Sequence, residues 1–379
     1  MNDDTRCLMS LCRAGLMKRT PPPPPEHADA KHVIALAKKH KVSALTAQAL
    51  LESGLFPKEA ERAARAALDT ARYVEAVQCF ETAELTRRFS AAGIDYCLLK
   101  GWHWRMLYPA PYDRDMGDVD ILVRLSDWTG ARNAADACGF DRSENQEIDL
   151  HTVLYKGDVK VELHRSLLSS HGRYEGRDKN VWDTLVPGAA PHEWRLSPTD
   201  DYLYFFLHAE KHTASYGFEL RTLTDIYALR VFGQKIDRAR FEREAKRLGL
   251  LGYAENLEAL SSAWMAGKAL TGEQEETLDY LMSLETLTND EKTYRAARRW
   301  LALNLTPAGL WRRLIVPRDQ LLSRCEEAKT KKEAMWRCLM RAKKTYRMYL
   351  GEFFVFRKRI PKERRQALAR AARRLYRGI

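Results

Sequence analysis

A change of period at Gly93 is the feature that most constrains this fold. Lys58–Ala92 reads as one long helix, and Gly93 follows it where a residue without a Cβ suits a helix C-terminus. Directly after it, Ile94-Asp95-Tyr96-Cys97-Leu98-Leu99 is a short apolar run that reads as a buried strand ending in Lys100-Gly101. Trp102–Tyr108 is helical up to Pro109, Ala110–Gly117 is a polar loop, and Val119–Arg124 is the next strand. Ser126 is expected to cap a helix that runs through Cys138 and stops at Gly139. Phe140–Ser143, Ile148–Tyr155 and Val159–His164 are predicted strands, the last two joined in a hairpin at Gly157-Asp158.

On either side of this unit the pattern is helical. A short N-terminal helix precedes the stiff spacer Pro21–Pro25, and Ala28–His40 and Ser43–Leu51 are predicted helices. From Pro198 onward only helices are read: Thr199–His212, Leu220–Phe232, Asp237–Leu248, Tyr253–Leu270, Gly272–Leu284 and Asn289–Leu303, then Lys331–Leu350 and Pro361–Arg377. The expected class is α+β. It divides into a helical segment at 1–92, an α/β core at 93–197, a helical domain at 198–330 and a basic helical C-terminus at 331–379.

With 45% apolar residues among 379, the chain has enough material for a packed core, which excludes global disorder. No run of 18 apolar residues occurs, so no membrane-spanning helix is expected. The 7 cysteines are scattered without metal-type pairing, which points to reduced thiols and a cytoplasmic location. Residues 331–379 hold 17 Lys and Arg against 3 Asp and Glu, while the rest of the chain is close to neutral. There Tyr346, Tyr349, Phe353, Phe354 and Phe356 alternate with basic residues, a mixture that suits polyanion contact or helix packing equally. A non-catalytic nucleic-acid-binding protein is therefore one reading of the chain.

Another reading rests on carboxylates. Asp118 and Asp120 are two apart on a strand, so both point to one face while Val119 and Ile121 take the other. Two such charges about 4 Å apart repel by roughly 4 kcal/mol at an effective dielectric near 20. A divalent cation offsets that, and oxygen ligands suit Mg²⁺ or Mn²⁺. In Val161-Glu162-Leu163-His164, Glu162 and His164 share a strand face. If that strand lies beside the Asp strand, Glu162 becomes a third carboxylate of a metal site for phosphoryl chemistry; its plainer role is an ion pair with Lys160 or Arg165. Lys100-Gly101, at a strand-to-helix turn, offers a cation and a backbone that a phosphate can approach.

In this order the motifs resemble the DNA polymerase β-like nucleotidyltransferase superfamily. More closely, they resemble a family of uncharacterised bacterial nucleotidyltransferases. The residues that carry the likeness are Leu99-Lys100-Gly101, Leu107-Tyr108-Pro109, Arg114, Asp118-Val119-Asp120-Ile121-Leu122-Val123 and Val161-Glu162-Leu163-His164. A helical motif follows as His208, Lys211-His212, Leu220-Arg221 and Asp225-Ile226. The likeness spans roughly residues 30–350, and Gly101-Trp102 stands where the superfamily usually has Gly-Gly or Gly-Ser. It implies a small mixed sheet and an Mg²⁺-dependent transfer of NMP from an NTP, ATP foremost, to an acceptor hydroxyl or phosphate on a small molecule or peptide. Phosphoryl transfer by the same site is the close variant. In this scheme Asp118, Asp120 and Glu162 bind metal, and Glu162 can take the acceptor's proton. Lys100, Gly101 and Arg114 hold the triphosphate. His208, Lys211, His212 and Arg221 line the cleft over the nucleotide.

His208 and His212 lie at i and i+4, a zinc-like spacing, but Glu210 is one position off the H-E-x-x-H arrangement. No G-x-x-x-x-G-K-[ST] or G-x-G-x-x-G stretch occurs, which argues against P-loop and dinucleotide-binding folds.

Overall fold

The computed structural model describes residues 2–148, 151–167, 181–215, 218–283 and 362–375. The helices expected at 289–303 and 331–350, and the aromatic and basic mixture at 343–359, lie outside these residues. Compactness divides the chain into two units, Met1–Leu207 with Glu219–Lys268, and His208–Phe218 with Ala269–Ile379.

The first unit opens with four helices: α1 (Asp3–Met17), α2 (Ala30–Lys39), α3 (Ser43–Ser53) and α4 (Lys58–Ala91). The spacer at Pro21–Pro25 leads from one packed helix to the next: α1 buries Leu8, Leu11 and Cys12, and Cys12 Sγ lies 3.3 Å from Thr46 Oγ1 of α3. Gly93 has φ +69°, the left-handed turn that lets the chain leave α4 and enter the sheet. There follow β1 (Tyr96–Leu98), the one-turn α5 (Gly101–Trp104), β2 (Val119–Val123), α6 (Trp128–Ala137), β3 (Asp141–Ile148), β4 (His151–Lys156), β5 (Val159–His164), β6 (Val186–Pro187) and β7 (Glu193–Arg195). The unit closes with the start of α7 (Pro198–Ser215), then α8 (Arg221–Val231), α9 (Arg238–Arg247) and α10 (Leu251–Met265).

These strands form one mixed sheet in the order β3-β4-β5-β2-β1-β7-β6. The β4–β5 hairpin turns at Gly157, as expected, and β2 pairs with β5 in parallel and with β1 antiparallel. Two strands escaped the sequence reading: β6 and β7 are two and three residues long, and β7 adds beside β1 in parallel. The helix expected to be capped by Ser126 starts later. Leu125–Asp127 is a 3₁₀ turn, and the Ser126 hydroxyl donates to Asp127 instead of capping α6.

The two sheet faces have different roles. Val119, Ile121 and Val123 of β2 pack with Val161 and Leu163 of β5 against Leu85 and Phe89 of α4 and Ala131 and Ala135 of α6. Each large side chain there contributes about 1.5–3 kcal/mol by leaving water. The alternate residues, Asp120 and Leu122, take the other face, where Leu122 meets Cys97, Leu99 and Tyr204. α5 is fixed above this face by Trp104, whose indole N–H donates to Asp201 of α7 at 2.6 Å and whose ring meets Phe205 edge-on at 5.2 Å.

In the second unit, α11 (Gly272–Ser283) pairs with α12 (Lys362–Leu375). Leu278, Leu281, Leu368 and Leu375 are buried, and Arg374 bridges Glu273 and Glu276. Among the described residues no helix is long and apolar enough to cross a membrane.

Asp201 yields a stability test. Burial pushes its carboxyl up to about 7, against the opposing pull of the Trp104 N–H and of Arg114. The folded state thus holds a proton that the unfolded chain has lost, so the group's contribution worsens as pH rises from about 4 to about 7. Asp201→Asn keeps an acceptor for Trp104 and removes the charge. Its stability relative to wild type should rise between pH 5 and pH 8 in denaturant titrations; a flat difference would contradict the burial argument.

Candidate active site

The parallel register of β2 and β5 sets Asp120 opposite Glu162 and Leu122 opposite His164. With period-two alternation, Asp120, Glu162 and His164 therefore share one face. Their donor atoms lie within 4.8 Å of one another, and His164 Nε2 is 2.8 Å from Asp120 Oδ1 and 3.5 Å from Glu162 Oε2. His151, opposite His164 on β4, stacks its ring 5.0 Å from that of His164.

Cations sit among these carboxylates. Lys100 Nζ donates to Asp120 Oδ1 at 2.7 Å, with both side chains largely buried. Lys160 Nζ donates to Glu162 Oε1 at 2.5 Å and to Asp118 Oδ2 at 3.2 Å, so the expected Lys160–Glu162 ion pair is present. Burial alone would raise the Asp120 carboxyl, but the Lys100 ammonium and the His164 bond hold it well below the usual carboxylate range. Glu162 is likewise held down despite its burial, by His164 and Lys160. Lys160 in turn is raised to about 12, its carboxylate partners outweighing burial. His164 is raised above its ordinary value, because hydrogen bonds to Asp120 and Glu162 outweigh burial. Asp118 goes the other way: burial and the neighbouring Asp120 and Glu162 charges raise it. Asp118 precedes β2, is 39% exposed at the side chain, and shares Lys160 with Glu162 at the edge of the Asp120–Glu162–His164 group.

The Lys100-Gly101 turn differs from the sequence picture. Lys100 has φ +53° and ψ −130°, a strained conformation for a residue with a side chain, and it carries this strain at the head of α5. The Trp102 and His103 N–H groups donate back to the carbonyls of Leu99 and Lys100. The open side of Gly101 faces Arg114: a Cβ there would stand 2.1 Å from Arg114 Nη1 and 2.7 Å from Met116 Sδ. Glycine is required at this position by a close approach of the protein to itself.

Arg114 is committed as well. Its guanidinium donates to both carboxylate oxygens of Asp225 on α8, at 2.7 and 2.8 Å, and both groups are buried. The Tyr108 hydroxyl donates to the same Asp225 at 2.6 Å. Such a bidentate pair fixes orientation as well as charge. Next to it, Asp115 accepts from the Ser43 N–H at the start of α3 at 3.0 Å, and Arg221 donates to the Asp115 carbonyl at 2.6 Å and to Glu219 at 2.7 Å. The loop that leads into Asp118 is thus tied at Arg114 and at Asp115. His208 and His212 belong to the second unit, their rings 4.2 Å apart; Lys211 lies between them in α7.

A family model described as "uncharacterised nucleotidyltransferase" matches residues 26–266. The chain belongs to this family. No curated protein and no solved structure matches it. The family model spans the Asp120–Glu162–His164 group and the Arg114–Asp225 clamp, and a nucleotide substrate follows from membership. The donor set fits a divalent cation: two carboxylates and an imidazole, on adjacent strands of a rigid sheet, already converge on one spot. The imidazole was visible in the sequence as the i+2 neighbour of Glu162, but its place among the ligands needed the register.

Lys100 and Asp120 can be tested as a pair. Breaking a buried ion pair on one side strands a charge and costs about 3–5 kcal/mol. Lys100→Met should destabilise the metal-free protein by about that much, and Lys100→Met with Asp120→Asn should recover a large part of it. Additive losses in denaturant titrations would contradict the coupling.

Proposed function

We propose that the protein transfers a nucleoside monophosphate from an NTP, ATP first among them, to an acceptor hydroxyl or phosphate, with Mg²⁺ or Mn²⁺ as cofactor. The observation that supports this best is the parallel β2–β5 register, which gathers Asp120, Glu162 and His164 on one face under the cation of Lys100. In the wider superfamily that the motifs resemble, this is the acidic sheet site.

Asp120 and Glu162, with His164 beside them and Asp118 at the strand entrance, would hold the divalent cation. Bound there, it would supply Lewis-acid stabilisation of the charge that develops on the phosphoryl oxygens. Lys100 is the protein's own cation at this spot; as a triphosphate arrives, its ammonium exchanges the Asp120 carboxylate for phosphate oxygens. The acceptor oxygen forms a bond to the α-phosphorus, pyrophosphate leaves, and the acceptor's proton passes to a carboxylate of the cluster. Arg114 and Arg221 act in this reading by holding the loop that sets Asp118. The free thiols among the described residues suit a reducing, cytoplasmic compartment. The basic composition of residues 331–379 is the feature that would favour contact with a polyanion.

Incubation of the protein with α-labelled and γ-labelled ATP, Mg²⁺ or Mn²⁺ and a cell extract distinguishes the outcomes. Label from the α position should appear on an acceptor together with pyrophosphate, and Asp120→Asn should lower the rate at least about a hundredfold. Transfer of γ label with ADP release would mean phosphoryl transfer instead.

A further inference from the structure

α4 uses its two long faces differently. Ala64, Leu68, Leu85 and Phe89 are buried in the first unit. The other face is exposed along Asp69, Tyr73, Ala76, Phe80, Ala83 and Arg87. These residues follow one another at spacings of four, three, four, three and four, the alternation of a coiled-coil seam. Tyr73 is 57% exposed and Phe80 70%. A helix that only covers a sheet carries polar residues on its outer face, and here two aromatic rings and two alanines occupy the middle of it.

The pattern is complementary to itself when reversed. Two copies of α4 laid antiparallel, with the two-fold axis at the level of Gln78, bring Tyr73 to Ala83 of the second copy and Phe80 to its Ala76. Each large ring then meets a small side chain, which lets the two helices approach closely. At both ends of the seam the same axis sets Asp69 opposite Arg87. A slip of one heptad removes this match: it faces Asp69 with Phe80, or Arg87 with Ala76. Within one copy Asp69 lies 3.6 Å from Arg72, and Arg87 pairs with Glu84, in each case with exposed side chains. Such surface pairs contribute little and give way readily to a partner across an interface.

From this complementarity of charge and of size we infer that the protein forms a two-fold dimer through the exposed face of α4, the helices antiparallel, Tyr73 and Phe80 seated over the alanines of the second copy and Asp69 paired with its Arg87. The contact is narrow: its apolar part is four aromatic rings and four alanines. An interface of that size is at the small end of specific association, so the dimer is weak and depends on concentration, with a Kd on the order of 10 µM. The inference does not rest on nucleotidyl transfer. It bears on the acidic site through α4, whose Leu85 and Phe89 back β2 and β5 on the side away from Asp120.

Sedimentation equilibrium of the full chain at low ionic strength, over concentrations up to about 200 µM, tests this. The wild type should fit a monomer–dimer equilibrium. Phe80→Glu should weaken it at least about tenfold with the melting temperature of the monomer nearly unchanged, because the ring is exposed in one copy. Asp69→Arg and Arg87→Asp should each weaken self-association about three- to tenfold, since each sets like charges opposite one another at both ends of the seam. Mixed in equal amounts, these two variants should form a heterodimer at least as tight as the wild-type dimer, because both pairs are then of opposite charge. A wild type that stays monomeric throughout the range would overturn the proposal, as would a dimer that Phe80→Glu leaves intact. A mixture of the two charge variants that associates no better than either alone would overturn the antiparallel pairing.

Discussion

Asp120 is a carboxylate inside a sheet, 4% exposed, with an ammonium on one side and an imidazole on the same oxygen. A lone ion in that position would take up a proton or unfold the strand, because burial of an unpaired charge is strongly unfavourable. Lys100 and His164 reverse this and keep Asp120 ionised. Much of the local architecture serves that one contact. β2 must run parallel to β5 for His164 and Glu162 to reach the same face, and β1 must end where Lys100 can turn back. Lys100 then adopts a backbone angle better suited to glycine, a strain of the kind that concentrates at functional sites.

Each carboxylate of the site has a cationic partner from the chain itself. Lys100 serves Asp120, Lys160 serves Asp118 and Glu162, and His164 Nε2 lies 2.8 Å from Asp120 and 3.5 Å from Glu162. These groups occupy the electrostatic role that a divalent cation would take. A cation bound there competes with a proton and with two ammonium groups, so metal affinity is tied to pH and to the lysines.

The sequence showed the chemistry of this site better than its surroundings. The i, i+2 spacing placed Asp120 with Asp118, and Glu162 with His164, and their union needed only the pairing of the two strands. Gly93 and Gly157 announced their turns through local geometry that a sequence can report. Gly101 did not: its apparent use was phosphate approach, whereas its neighbours in space are Arg114 and Met116. For Arg114 the triphosphate role came from the family resemblance, and its partner Asp225, which lies 111 residues away, could not be read from the local sequence. β6 and β7 were invisible because runs of two and three residues carry no period.

His164 and the lysines hold the site's charge in place of a cation. NMR titration of the His164 ring nitrogens in the metal-free protein, repeated with saturating Mg²⁺, tests it most directly. A pKa above the ordinary 6.5 is expected without the ion, from the bonds to Asp120 and Glu162, and a clear fall when Mg²⁺ is bound. A His164 pKa at or below the ordinary value, or one that Mg²⁺ leaves unmoved, would contradict it.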